Sequence, residues 1–409
     1  MFMRRIPLKS VLSIVLAGFV SVAGATAAMA QKAYGPGVTD VEIKIGNTNP
    51  YSGPASAYGL VGRVEQAYFK MVNEAGGVNG RKITFISYDD AYSPPKTVEQ
   101  TRKLVESDEV FAIVSSVGTP TSLAVQKYLN IKKVPQLFVL SGAGNFNMPK
   151  QFPWSMSHQV NYSAEGRILA TYIMKAQPKA KIGVLYQNDD LGKDLLRGLL
   201  DGLGENQELV VAQEPYQLSD PSVDTQVLKI YAAKPDVFVN FASPKAAAQA
   251  IRKIGELNWK PIQFVGKVAA SVDAVMKPAG LDHAEGIVSV AFAKEYSDPQ
   301  WADDPARNAY GAFMDKFMPG VEKNNTLAVQ AYTTSQHLVG LLELCGDNLT
   351  RENLMKQASH LDGKLRSGML LPGIGLHTTP DDLAPLKQLQ LMRLEGGNWK
   401  LFGDVLMAR

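Results

Sequence analysis

Two short loops carry the residue types that could hold a small anion. Ser115-Ser116-Val117-Gly118-Thr119 follows an apolar run at 110–114, and Ser141-Gly142-Ala143-Gly144 follows a second apolar run at 136–140. Each loop combines hydroxyl groups with a glycine that lets the backbone approach closely, and each offers N–H groups where a helix begins. Such groups suit a carboxylate. The same residues are also ordinary turn and cap formers, so the pair of loops, rather than either alone, suggests a site.

The other chemistry-bearing residues favour binding over catalysis. Asp89-Asp90 and Asp189-Asp190 are paired carboxylates at predicted strand ends, which suit acid–base catalysis or, as we favour, loop capping. The five histidines lack metal-ligand spacing, and no phosphate-binding loop, zinc-protease motif or nucleophile elbow occurs. Ser93-Pro94-Pro95-Lys96 matches an S-x-x-K pattern, but we expect its two prolines to keep it in a loop. No cofactor or metal is implied.

The apolar pattern alternates between helices and strands. Residues 58–75 repeat apolar side chains at helical spacing, typical of one buried helix face. Short continuous apolar runs, such as those at 110–114 and 181–186, are typical of buried parallel strands. Helical crossovers between such strands predict doubly wound sheets. Because the rhythm restarts after 142–162, we predict an α/β fold with two doubly wound parallel-sheet lobes.

Composition excludes several classes of protein. The 409 residues are 45% hydrophobic and 20% charged, which is ordinary for a globular chain and excludes a disordered or repetitive one. The net charge of +3 equals the contribution of Arg4, Arg5 and Lys9. The remaining chain is near neutral and lacks the basic footprint of a nucleic-acid-binding protein. The single cysteine, Cys345, excludes an intrachain disulfide.

Residues 1–30 have the organisation of a cleavable export signal. A basic start precedes an apolar stretch at 11–25, and Ala28-Met29-Ala30 has the small-x-small form of a cleavage site. We therefore expect a signal peptide at 1–30 and a mature chain that begins near Gln31 outside the cytoplasm. A retained membrane anchor is the alternative, although the apolar stretch is short for a spanning helix.

An ordered set of motifs resembles one protein family. Tyr51-Ser52-Gly53-Pro54, Asn73-Glu74-Ala75-Gly76-Gly77-Val78-Asn79-Gly80 and Leu185-Tyr186-Gln187-Asn188-Asp189-Asp190 resemble the periplasmic substrate-binding components of branched-chain amino acid ABC transporters. The resemblance covers essentially the whole mature chain. It implies a type I periplasmic binding fold, in which two lobes are joined by three crossover segments.

The resemblance also implies a layout and partners. Lobe I is expected at 31–157 and 287–369, and lobe II at 158–286 with a tail and hinge return at 370–409. The protein is expected to be a periplasmic monomer that closes on a small carboxylate ligand. The closed form would dock transiently to an inner-membrane ABC permease and its ATPase.

A ligand site follows from the same resemblance. Ser116 to Thr119 and Ser141 to Ala143 match the loops that receive the ligand carboxylate in the leucine/isoleucine/valine-binding member, and Tyr58 matches a tyrosine that walls that pocket. The places of the ammonium-binding carboxylates fall near Tyr162 and Val268, and neither residue is acidic. An unpaired buried ammonium would cost several kcal/mol.

We therefore expect a carboxylate ligand with an apolar or aromatic body rather than leucine. Val268, Ala242, Tyr162 and His158 would suit such a flatter, less charged molecule. A genuine branched-chain amino acid binder remains the alternative within the family. A secreted α/β enzyme and a cytoplasmic ligand-sensing regulator on the same fold are alternatives of other classes, and the export signal argues against the regulator.

Overall fold

Two separate sheets organise the chain in the computed structural model, which describes residues 32–365 and 368–408. The predicted signal peptide at 1–30 lies outside the described residues. Each sheet forms the centre of one lobe, and the chain passes between the lobes three times. Among the described residues, no helix is both long and apolar enough to cross a membrane.

The first part of the chain builds lobe I around a parallel sheet. Its elements are β1 (Ala33–Tyr34), β2 (Glu42–Asn49), α1 (Leu60–Glu74), β3 (Lys82–Asp89), α2 (Pro94–Glu106), β4 (Ala112–Val114), α3 (Thr119–Ile131), β5 (Gln136–Val139) and β6 (Ser155–Ser157). Five of the strands pair in parallel in the order β3-β2-β4-β5-β6. The carboxyl ends of these strands therefore share one edge, where ligands bind in such sheets.

The second part of the chain builds most of lobe II. Its elements are α4 (Tyr162–Ala176), β7 (Ile182–Gln187), α5 (Asp190–Leu203), β8 (Val210–Tyr216), α6 (Asp224–Ala232), β9 (Val237–Phe241), α7 (Pro244–Glu256), β10 (Ile262–Val265), α8 (Lys277–Ala279), α9 (Leu281–Ala284) and β11 (Val288–Ala291). The apolar strands β9 and β11 are buried along their whole length, as expected for a sheet covered on both faces.

The last part of the chain completes both lobes. Its elements are α10 (Pro305–Phe317), α11 (Thr326–Cys345), β12 (Asn348–Leu349), α12 (Arg351–Ala358), β13 (Gln388–Glu395) and β14 (Asn398–Met407). Helix α11 packs on α1 of lobe I, where the ring centroids of Tyr68 and Tyr332 lie 5.1 Å apart. Strands β13 and β14 extend the sheet of lobe II, whose order is β14-β13-β11-β10-β9-β7-β8.

The predicted fold class is confirmed, with differences at the edges. Strands β13 and β14 add to lobe II in antiparallel sense, so that sheet is mixed rather than purely parallel. Strand β11 lies in the sheet of lobe II, so the chain leaves that lobe after Ala291 and not at 287. Asn147 of lobe I is hydrogen-bonded to Asp382 and to the amide of Leu383, so the segment before β13 still contacts lobe I.

The expectation that Ser93-Pro94-Pro95-Lys96 is a loop is wrong for its last three residues. Helix α2 begins at Pro94, and both prolines occupy its first positions. A proline there loses no hydrogen bond because the first N–H groups of a helix have no partner inside it. Lys96 pairs with the carboxylate of Asp89 at 2.9 Å, which anchors the helix start to the end of β3.

Helices α4 and α5 pack unusually closely, and this packing positions one wall of the cleft between the lobes. A Cβ atom at Gly198 would lie 2.0 Å from the carbonyl oxygen of Ser163, and one at Gly166 would lie 2.3 Å from that of Leu195. Backbone carbonyls cannot move aside as a flexible side chain would. The two glycines therefore set the distance between the helices.

We expect Gly198→Ala to lower the free energy of unfolding by about 1–3 kcal/mol, because the added methyl group forces the two helix backbones apart. Gly340→Ala is the matched control in α11, since its Cβ would meet only the tip of Leu365 at 3.1 Å. There the gain in helix propensity predicts a neutral or stabilising effect. Urea denaturation of both variants measures the difference, and equal effects would contradict the close-packing argument.

Candidate functional site

A cleft between the two lobes is the candidate site. It encloses about 520 Å³ of free space, its open mouth included, but the centre of a water molecule can occupy only about 30 Å³ of it. The cleft is therefore narrow, and a ligand has to displace side chains or part the lobes. Its walls are formed by Tyr58, Val61, Tyr92, Val117, Gly118, Leu140, Gln159, Tyr162, Leu191, Lys267, Val268, Thr326, Leu327 and Gln330.

Three tyrosines give the cleft an aromatic lining. Tyr58 precedes α1 and Tyr92 precedes α2, both in lobe I, whereas Tyr162 opens α4 in lobe II. Burial raises the pKa of all three phenols, so they are neutral. The hydroxyl of Tyr58 is buried without a hydrogen-bond partner among the described residues. The lining therefore offers flat apolar surface and neutral phenol groups.

Five of the twelve predicted site residues border the cleft: Tyr58, Val117, Gly118, Tyr162 and Val268. Gly118 is required there for two reasons. Its φ of 107° disfavours any side chain, and a Cβ would lie 2.6 Å from the Tyr92 ring. The glycine thus lets the loop after β4 approach the aromatic wall.

The hydroxyl groups of the two predicted anion loops do not border the cleft. The Ser116 hydroxyl oxygen accepts a hydrogen bond from the Thr48 hydroxyl at 3.1 Å. The hydroxyls of Thr119 and Ser141 bond to each other at 2.7 Å. These three hydroxyl groups thus form hydrogen bonds within the protein. The residue types alone could not indicate these partners.

Gly142 and Ala143 also form contacts within the protein. Ala143 donates its amide to the Ser141 hydroxyl oxygen at 3.2 Å and packs in a small apolar cluster with Val139 and Phe146. The carbonyl of Gly142 accepts the amide of Tyr162 at 2.9 Å. A Cβ at Gly142 would lie 2.7 Å from the Tyr162 ring, so the ring lies directly against this loop.

The phenol of Tyr162 faces the polar groups of both loops. Burial raises its pKa, while the amide of Gly142 and the hydroxyls of Thr119 and Ser141 act in the opposite direction. These three groups are the donors that the sequence pattern assigns to a ligand carboxylate. In the structure the Tyr162 ring occupies the space beside the second loop, at Gly142.

His158 and Ala242 lie outside the cleft, contrary to expectation. Ala242 is fully buried between β9 and α7. The Nε2 atom of His158 lies 2.7 Å from Nδ1 of His337 in α11, and its Nδ1 lies 3.0 Å from the Thr334 hydroxyl. That hydroxyl donates to the carbonyl of Gln330, so it accepts from His158, and His337 in turn donates to His158. Two neutral rings thus tie the first crossover to α11.

Lys267 is the most consequential residue that the sequence analysis missed. It follows β10 in a short 3-10 turn, at the carboxyl end of the sheet of lobe II. Its ammonium group lies 4.2 Å from the ring centroid of Phe292 and donates to Gln330 Oε1 at 3.3 Å. Because Gln330 belongs to α11 of lobe I, this hydrogen bond joins the two lobes across the cleft.

Two buried carboxyl groups flank Lys267 without forming an ion pair with it. Burial lowers the pKa of Lys267 to about 8, partly offset by Glu165 and Glu295. Burial raises the pKa of Glu295 to about 8 and that of Glu165 to about 7. Glu165 accepts the backbone amide of Lys267 at 2.7 Å, which fixes the turn that presents the lysine. Neither carboxyl borders the cleft itself.

A second cavity of about 350 Å³, its mouth included, adjoins the cleft. Three residues border both spaces: Lys267, Thr326 and Gln330. The walls of the second cavity are mainly apolar and include Val290, Phe292, Val329 and Met392, while Glu295 also contributes. The lysine therefore stands at the junction of the two cavities.

The paired carboxylates act as caps, as the sequence analysis favours. Asp89 accepts the amides of Tyr51, Ser52 and Ala91. Asp189 accepts the amides of Leu191 and Gly192 at the start of α5. These carboxylates accept hydrogen bonds from the backbone amides of the loops at the strand ends. Neither pair is therefore arranged as a catalytic dyad.

Comparison with known proteins identifies the family. The model of the family described as periplasmic binding protein matches residues 42–398, which is most of the chain. The chain belongs to the periplasmic binding protein family. Its curated relatives include proteins named for leucine binding and for Leu/Ile/Val binding.

Two curated relatives share less than a quarter of their aligned residues with this chain. It is 24% identical over 298 residues to the leucine-specific-binding protein of Salmonella typhimurium, covering 72% of this chain and 75% of the relative. It is 23% identical over 286 residues to the Leu/Ile/Val-binding protein of Escherichia coli K12, covering 69% of this chain and 73% of the relative.

Solved structures share the fold of this periplasmic binding protein. A branched-chain amino acid ABC transporter protein from Thermus thermophilus with bound valine aligns with a TM-score of 0.81 at 15% identity, covering 90% of this chain and 97% of the other. A fatty acid ABC transporter substrate-binding protein from Thermomonospora curvata aligns with a TM-score of 0.76 at 22% identity, covering 92% and 95%. At these identities the likeness extends to the fold alone.

The histidine pair predicts how the stability of this binding protein depends on pH. Burial lowers the pKa of His337 to about 3, and burial, His337 and Lys267 lower the pKa of His158 well below its usual value of 6.5. The unfolded chain binds protons below about pH 6.5, whereas the folded rings remain neutral. We expect these two rings to contribute a loss of about 1–3 kcal/mol in the free energy of unfolding between pH 6.5 and 4. Glu165 and Glu295 contribute in the opposite direction, because their raised pKa values make the folded state bind protons first.

Denaturation series at several pH values test this, with His337→Asn as the variant. Asparagine can keep the hydrogen bond to His158 but does not titrate, so the variant should lose less stability than the wild type between pH 6.5 and 4, and the contribution of Glu165 and Glu295 is common to both proteins. His360→Asn, at an exposed position, is the control and should leave the slope unchanged. An unchanged slope in the His337 variant would refute the assignment.

Proposed function

We propose that this protein is an exported, non-enzymatic solute-binding component of an ABC importer. Its ligand is an organic acid with an apolar or aromatic body and no ammonium group. It binds between the lobes, and the closed form docks to an inner-membrane permease. Family membership supports the transport role, and the composition of the cleft supports the ligand class.

One observation carries the ligand class. Among the described residues that border the cleft, Lys267 is charged and none is Asp or Glu. A half-buried ammonium attracts an anion and repels a second ammonium more strongly than an exposed one does, because the dielectric constant around it is lower than that of water. The tyrosines, leucines and valines around it favour apolar surface. A free amino acid brings the wrong charge to this site.

Closure of the lobes on a ligand is expected because residues of both lobes form the walls of the cleft. Lys267 and Tyr162 come from lobe II, whereas Tyr58, Tyr92 and Gln330 come from lobe I. A ligand that contacts both sets stabilises the closed arrangement by its differential affinity for that state. The permease then distinguishes loaded from empty protein by lobe geometry.

The competing ligand is a branched-chain amino acid, because the Salmonella typhimurium and Escherichia coli relatives are named for leucine and for Leu/Ile/Val binding. One observation favours it: three acidic residues lie near the cleft. Glu165 accepts the amide of Lys267, Glu295 borders the adjoining cavity, and Asp189 contributes to the raised pKa of Tyr58 and Tyr92. To bind an ammonium, one of them would have to give up its present contacts and turn inward. The Thermomonospora curvata protein is named for fatty acids, a class that fits the cleft without such a change.

We expect isothermal titration to show binding of benzoate, 3-phenylpropanoate or octanoate, and no binding of leucine or valine at the same concentrations. An acid at 100 times its Kd should add about 2.7 kcal/mol to the free energy of unfolding, which thermal-shift measurement detects. Tight leucine binding with no response to the three acids would refute the proposed ligand class.

We also expect affinity for the acids to fall as the pH rises above about 8. Burial lowers the pKa of Lys267 to about 8, so the lysine is charged below that pH and becomes neutral above it. A bound anion favours the charged form, so affinity is highest below pH 8 and declines by up to tenfold per pH unit between the pKa of Lys267 in the free protein and its higher pKa in the complex. Titrations between pH 6.5 and 10 measure this, with the primary amides of the same acids as pH-independent controls.

A further inference from the structure

The position of the acid group can be assigned within the cleft, on the premise that the proposed function is correct. Two sets of polar groups compete for it. One is the pair of serine- and glycine-bearing loops at 115–119 and 141–144, and the other is the junction of the two cavities at Lys267 and Gln330.

The loop donors are already engaged. The hydroxyls of Thr119 and Ser141 bond to each other at 2.7 Å, and the Ser141 oxygen accepts the amide of Ala143 at 3.2 Å. The Tyr162 ring lies against Gly142, and the Tyr162 amide donates to the Gly142 carbonyl at 2.9 Å. A ligand carboxylate would have to expel the phenol before it could use these donors.

The junction donors are free by comparison. Gln330 is 5% exposed, yet its Nε2 atom has no hydrogen-bond partner among the described residues. The Lys267 ammonium donates to Gln330 Oε1, and this hydrogen bond fixes the orientation of the side-chain amide. The NH₂ group of Gln330 is therefore available to donate to a ligand. Gln330 Oε1 is also the one hydrogen-bond partner of the ammonium among those residues. A buried donor without a partner costs about 1–3 kcal/mol, so this arrangement favours an acceptor.

The surroundings of the junction also suit an anion. Thr326, the first residue of the 20-residue helix α11, borders both cavities, so the positive end of the helix dipole lies beside the junction. Neither Glu165 nor Glu295 forms an ion pair with Lys267, so the positive charge is not neutralised by direct contact. Apolar walls extend from the junction in both directions.

We propose that Lys267 Nζ and Gln330 Nε2 bind the carboxylate of the ligand at the junction of the two cavities, and that Tyr162 closes the loop site to it. The two oxygens of a carboxylate can accept from the two nitrogens together. The apolar body lies among the tyrosines of the cleft. Because the two donors belong to different lobes, the acid group itself holds the lobes together.

Titration of variants with benzoate, 3-phenylpropanoate and octanoate, each beside its primary amide, tests this assignment. We expect Lys267→Met to weaken acid binding by about 30-fold or more and Gln330→Leu by about 10-fold, with less than threefold effects on the amides. Lys260→Met removes an exposed charge from the same lobe and is the matched control. Lys267→Gln replaces the methionine variant if the latter does not fold.

Thr119→Val and Ser141→Ala decide between the two locations. We expect each to change acid affinity less than threefold, because neither hydroxyl borders the cleft. Large losses in these two variants, with acid binding retained in Lys267→Met, would overturn the junction site and leave the proposed function intact. Failure of the wild-type protein to bind any of the acids would instead overturn the proposed function.

Discussion

The cleft is organised around the ammonium group of Lys267, which is half-buried and so partly shielded from water. Removing a charge from solvent is costly, and the cost is reduced only if nearby groups hold it in a defined place. Here the turn after β10 presents Lys267, and Glu165 fixes that turn through its backbone amide. Glu165 in turn depends on α4, whose distance from α5 is set by Gly166 and Gly198. The position of one charge thus depends on packing that extends through lobe II.

The aromatic lining complements this charge. Phenol rings supply flat apolar surface with few rotatable bonds, so ordering them around a ligand costs little entropy. Lys267 also lies over the ring of Phe292, which places an electron-rich face beside the ammonium. Under the proposed function, the ligand would be recognised by one charge and by shape, which would suit a group of related acids better than a single compound.

Much of the fold follows from pattern, because burial leaves a periodic signature. The apolar runs at 110–114 and 181–186 are strands, and the helical spacing at 58–75 is α1 with the turn before it. The rule that ligands bind at the carboxyl ends of strands led to Val117 and Gly118, and the family resemblance led to Val268. Neither led to Gln330, because this residue lies within α11 and not at the end of a strand.

Other parts of the site depend on side-chain directions, which residue types do not encode. Ser116, Thr119 and Ser141 have the composition of an anion site, but their hydroxyls turn toward protein partners. His158 is hydrogen-bonded to His337, which is 179 residues away in the sequence, and no local sequence pattern predicts such a contact. Lys267 stands one residue before Val268, yet a lysine after a strand is usually solvent-exposed, so only its burial distinguishes it.

The order in which the chain visits the lobes constrains how the protein is made. Strand β1 pairs with β12, the Arg81 guanidinium bonds to Asp347 at 2.8 Å, and Arg351 bonds to the carbonyls of Val110 and Phe111. The sheet of lobe II is likewise incomplete until β13 and β14 have been added to it. A nascent chain therefore cannot finish either half before nearly all of it has left the ribosome, since contacts this distant in sequence form late. Incomplete synthesis products should consequently stay open to chaperones and proteases.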